Sequence, residues 1–167
     1  MELEQRVDDL EHRLAVLEGA AHRAGPRLDE GDFWALNGLK EQLSELEAAD
    51  GGVLYTGFVR LPGGEEYAWQ MGTLTEELME DDWTPVAESL AALGHPVRLR
   101  LLREILGGRH TAAELAELEE VGTTGQIYHH LRQLTGTGWL RTTGRGRYEV
   151  PPERVVPLLV AVTTARP

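Results

Sequence analysis

Residues 122–140 read GTTGQIYHHLRQLTGTGWL, and this stretch decides the fold. Ile127, Leu131 and Leu134 fall at steps of four and three, which places them on one face of a helix over about 124–135. Gln126, Tyr128, His129, Arg132 and Gln133 fall on the other faces, so that side is polar and aromatic. Thr123 stands at the N-cap position. Upstream, Thr111-Ala112-Ala113-Glu114 starts a second short helix with a Thr-x-x-Glu capping box. Two short helices joined by a tight turn, the second polar on its open face, fit the helix-turn-helix plan. Gly138-Trp139-Leu140 then begins a strand that continues through Gly144-Arg145-Gly146-Arg147 to Tyr148-Glu149-Val150, a wing.

Working outward, Pro85–Leu93 and Pro96–Leu106 read as the two helices before this motif. Val97, Leu101, Leu102 and Ile105 form a core stripe, and Pro96 sits at a first helical position where its missing N–H is harmless. Pro151-Pro152 opens a last helix carrying Val155, Leu159 and Val162, shortened or bent by Pro157, with a loose tail from Thr163. The run Leu93-Gly94-His95-Pro96-Val97-Arg98-Leu99-Arg100-Leu101-Leu102 and the tetrad Tyr128-His129-His130-Leu131, in this order before a wing, resemble the ArsR/SmtB-like winged-helix regulators of bacteria. The resemblance covers about Trp83 to Val162 and is silent on the first half. It implies a winged helix that binds operator DNA as a homodimer, with the terminal helices at the dimer interface.

The first half differs in kind. Residues 1–89 hold 6 Lys or Arg against 21 Asp or Glu, a balance of −15; residues 90–167 hold 10 Arg against 7 Glu, a balance of +3. One half suits phosphates, and the other is either a solvated acidic surface or a part that stays off them. Leu3, Val7, Leu10, Leu14 and Leu17 recur at alternating steps of four and three, which predicts a coiled-coil dimerisation helix over 1–24. An amphipathic helix packed on its own domain is the other reading. A helix–hairpin–helix region follows over 32–82: Phe33, Leu36, Leu39, Leu43 and Leu46 mark a helix over about 32–48, Val53–Leu61 and Glu66–Met71 flank the turn Pro62-Gly63-Gly64, and 73–82 is an acidic helix. Tyr55, Phe58, Tyr67 and Trp69 either line a small-molecule pocket or form the core of a small α+β cap, and the core reading is preferred. The fold class expected is mainly α with small β content (α+β), the winged helix occupying 83–162.

For DNA, the residues expected near bases or phosphates are Thr123, Thr124, Gly125, Gln126, Tyr128, His129 and Arg132 on the helix, Arg145 and Arg147 in the wing, and Arg109 between two helices. His95 reads as a hydrogen-bonding residue at a helix start, His130 as a packed residue, and Arg98 as a binder of carbonyls or an ion-pair partner. Glu119 and Glu120, just before the recognition turn, oppose phosphate binding. No cysteine is present, and the six histidines show no ligand spacing beyond the adjacent pair His129–His130, so no metal and no cofactor is expected. The thiolate site of the resembled family would fall on Glu114–Leu118, which offers no sulfur.

No nucleophile elbow or phosphate loop appears, so an enzyme is not expected. Without a leader or a long apolar run, the expectation is a cytoplasmic protein away from membranes. Two rivals stand beside the main reading. One is a protein-interaction adaptor that uses the winged helix without DNA; the other is a regulator answering a small-molecule or protein effector near the aromatic hairpin.

Overall fold

A computed structural model describes residues 33–119, 121–144 and 146–167. The chain divides into two compact units, Met1–Glu45 and Leu46–Pro167. In the first, the described element is α1, Trp34–Glu45, shorter at both ends than the expected helix. The heptad seam Leu3, Val7, Leu10, Leu14 and Leu17 lies outside the described residues.

The second unit runs β1 (Gly52–Arg60), β2 (Glu66–Leu74), α2 (Thr75–Glu80), α3 (Thr84–Leu93), α4 (Pro96–Leu106), α5 (Ala112–Ala116), α6 (Thr124–Gly136), β3 (Arg141–Thr142), β4 (Tyr148–Glu149) and α7 (Pro152–Thr164). It is a mixed fold of helices and small antiparallel sheets. One core holds it together: Leu101, Leu102 and Ile105 from α4, Leu115 from α5, Ile127, Leu131 and Leu134 from α6, and Val155 and Leu158 from α7 are all buried. Full burial of one such side chain is worth about 1.5–3 kcal/mol.

The hairpin is antiparallel, with Gly57 opposite Trp69 and Val59 opposite Tyr67. Because side chains alternate across a strand, Tyr55, Gly57 and Val59 share a face with Met71, Trp69 and Tyr67, while Phe58 points the other way. The first face packs on α7: a Cβ on Gly57 would lie 2.6 Å from Val156 Cγ1. Val59 and Tyr67 rest against the core beside it. A two-stranded ribbon is marginal alone, and α7 supplies the partner. The hairpin and the winged helix lie in the same compact unit, Leu46–Pro167, and the bare backbone of Gly57 admits α7 at close range.

The acidic helix is shorter than expected, six residues rather than ten, because Asp82 begins a new turn by accepting the Thr84 N–H at 2.9 Å. At the other end, α7 continues through Pro157 to Thr164, past the expected start of a loose tail. Val155 is fully buried in the core of its own unit, so it does not present the surface that a dimer contact needs. Leu159 and Val162, further along α7, line an apolar groove of about 530 Å³ with Leu99, Leu102, Leu106 and Leu158.

Candidate nucleic-acid interface

The motif is built by two capping boxes. At α5, Thr111 Oγ1 accepts the Glu114 N–H at 3.2 Å, and Glu114 Oε2 accepts the Thr111 N–H at 2.8 Å and the His110 N–H at 3.0 Å. The Thr111 hydroxyl and then its N–H, which bond the charged form, hold the Glu114 carboxyl below the usual carboxylate range. At α6, Thr123 Oγ1 accepts the Gln126 N–H at 3.4 Å, and Gln126 Oε1 accepts the Thr123 N–H at 2.7 Å. Between the boxes, Val121 is buried and Gly122 takes φ +90°, a conformation that side chains other than glycine rarely adopt. That turn aims α6.

Ile127, Leu131 and Leu134 on α6 are completely buried, and Thr124, Gly125, Tyr128, His129 and Arg132 are exposed. Gln126 is exposed too, but its carbonyl oxygen is turned back into the cap. The Thr-x-x-Gln box was legible at Thr123–Gln126, as the Thr-x-x-Glu box was at Thr111–Glu114. Expected from the sequence to contact bases, Gln126 also closes the cap of its own helix.

The wing is a small sheet of three segments. Arg141 and Thr142 pair with Glu149 and Tyr148, and Thr111 bridges to Arg147 on the other side. Tyr148 N–H donates to His110 O at 2.7 Å, which ties the wing to the start of α5. The turn closes through Thr143 N–H to Arg147 O and Arg147 N–H to Gly144 O, both at 3.1 Å. Arg147 is exposed, while Arg145 and Glu120 fall outside the described residues. Arg109 pairs with Glu104 at 3.5 Å across α4, so part of its charge is already engaged. Arg141 is held against Glu149 at 2.5 Å.

Three further residues set the position of α6. Arg98 donates to the Ala91 and Ala92 carbonyls of α3 and, at 2.5 Å, to Gln133 Oε1 of α6. Of the two roles expected, carbonyl binder or ion-pair partner, the structure shows the first, and Arg98 also joins three helices. His95 caps α4, its Nδ1 accepting the Val97 N–H at 3.2 Å. Trp139 Nε1 donates to Ser89 O at 3.0 Å, anchoring the start of the wing strand to α3, with the Arg154 guanidinium 5.0 Å over its ring.

The four aromatic residues of the hairpin do not share one face. Tyr55, Tyr67 and Trp69 turn toward α7, whereas Phe58 is exposed on the opposite face. Among the described residues, no three His, Asp or Glu side chains come together as metal ligands, and no helix is long and apolar enough to cross a membrane.

Residues 93–142 match the helix-turn-helix domain family. The match runs from the last residue of α3 through α4, α5, the turn and α6 into β3, the elements that carry the two capping boxes. This chain carries a helix-turn-helix domain. No curated protein matches the sequence. Among solved structures, the crystal structure of Rv0081 from M. tuberculosis is similar at 24% identity and a TM-score of 0.40, over 49% of this chain and 84% of that one.

Proposed function

We propose that the chain is an ArsR-like transcription regulator that binds double-stranded operator DNA as a homodimer and does not answer metals. The observation that carries this reading is the division of α6. Its aliphatic residues Ile127, Leu131 and Leu134 are buried, and a capped N-terminus offers Thr124, Gly125, Tyr128, His129 and Arg132 to the outside, within the span matched to the helix-turn-helix family. An exposed helix of this width suits the major groove. Thr124 and Tyr128 face bases, His129 and Arg132 face phosphates, and Arg147, with Arg145, follows the adjacent minor groove. Thr123 and Gln126 set the helix N-terminus, whose N–H groups favour a phosphate.

Two features support the dimer. Trp83, Val86 and Leu90 recur along one face of α3 and its N-cap, and they are 55%, 47% and 55% exposed, large apolar groups on a helix with nothing over them among the described residues. The heptad seam from Leu3 to Leu17 supplies a second contact. Twofold symmetry makes the protein read two half-sites about one helical turn apart.

The test is the double variant Tyr128→Ala with Arg132→Ala. Sequence preference should be lost and affinity for any duplex reduced, with the thermal midpoint unchanged because both side chains are exposed. Unaltered binding by that variant would refute the assignment of α6.

A further inference from the structure

A cluster of nitrogen bases sits where α6 rests on the turn between α3 and α4. His95 accepts the Val97 N–H through Nδ1, which places its own proton on Nε2. Against this ring lies that of His130, from α6, with centroids 4.7 Å apart and planes tilted by 44°. His130 Nδ1 is buried without a hydrogen-bond partner. A proton arriving there would find no acceptor, and an ionised group so placed is costly.

The groups that face His130 are all basic: His95 and Arg98 from the α4 side and His129 from α6, the last with its ring centroid 5.8 Å away. Burial first, and then these three, holds the His130 imidazole below the ordinary histidine range. Arg98 cannot yield its charge, and it is fixed in place by Ala91, Ala92 and Gln133.

We propose that the His95–His130 pair is an acid-sensitive latch. With His130 neutral, its ring packs on His95 and seats α6 on the α3–α4 turn; protonated, it repels Arg98 and loosens α6. The sign follows from linkage: below about pH 6.5 a detached or unfolded His130 takes up a proton that the packed ring refuses, so acid weakens the packing. The effect on DNA rests on the reading of α6 given above.

The experiment is an NMR titration of the imidazoles and backbone amides of the full chain from about pH 8 to about pH 5. The His130 ring should titrate below about 6.5, and amide protection factors across Ile127–Leu134 should fall about tenfold between the two ends of the range. His95→Asn keeps a capping oxygen and removes the ring that packs on His130, and it should cut that fall to less than about threefold. A His130 that titrates at or above about 6.5 overturns the latch, and so does a protection of α6 that is equal at both ends of the range. An undiminished fall in His95→Asn also overturns it. Should that variant not fold, the wild-type titration decides alone. Binding of a duplex selected by the protein at neutral pH gives the second arm: loosening of α6 with no loss of binding would keep the latch and refute α6 as the DNA-reading helix.

Discussion

At the scale of single residues, a side chain that sets a helix end also stands on the surface proposed to meet DNA. Gln126 illustrates this, with its oxygen closing the cap at 2.7 Å from the Thr123 nitrogen. Gln126→Glu should keep the cap and hold stability within about 0.5 kcal/mol, since a carboxylate at this position suits both the box and the helix dipole. The added charge next to phosphates should weaken duplex binding, as read by fluorescence anisotropy. Equal affinity would show that residue 126 lies away from the DNA. At the other box, Thr111→Ala should cost about 1 kcal/mol in a urea melt. Glu114 adds an acid dependence there. Its carboxyl is held low by Thr111, so its stabilisation is present above the unfolded value of about 4.5 and lost as pH falls through the lower folded value. Glu114→Gln should flatten that acid limb of the stability curve, and an unchanged limb would place the titrating group elsewhere.

At the scale of elements, the hairpin's place depends on one glycine. A Cβ at Gly57 would come within 2.6 Å of Val156, a side chain fixed in the core. Gly57→Ala should cost about 1–3 kcal/mol through overpacking, measured by denaturant unfolding, and a neutral result would mean the hairpin lifts freely from α7. The elements themselves were legible in the sequence. Periodicity marked α4 and α6, the Pro-Gly-Gly turn marked the hairpin, and Gly-rich punctuation marked the wing, because each signal is local. The docking of β1 and β2 on α7 was not legible, since the residues that meet, Gly57 and Val156, lie far apart in the chain and neither advertises a partner. Likewise, Val155 and Leu159 share one periodic stripe, and only packing shows that Val155 faces inward to the core. The stacking of His95 on His130 was hidden for the same reason: each had been read as a separate structural histidine.

At the scale of the whole molecule, charge and apolar exposure constrain what the chain can bind. The overall net charge is −12, and the surplus of arginine is confined to residues 90–167. Few counterions are displaced by so small a surplus, so affinity for random DNA should be weak and most of the discrimination should come from paired half-sites. If the proposed dimer forms through α3, Val86→Asp with Leu90→Asp should reduce it, with mass read by light scattering, and lower operator affinity together with it. A variant that stays dimeric would remove α3 from the interface. The measurement that tests the central claim most directly is selection of genomic DNA fragments by the purified protein at two salt concentrations. Enrichment of an inverted repeat with half-sites about one helical turn apart, weakened by salt, is the expected result. Folded protein that enriches no sequence at either salt concentration would contradict the claim that α6 reads DNA.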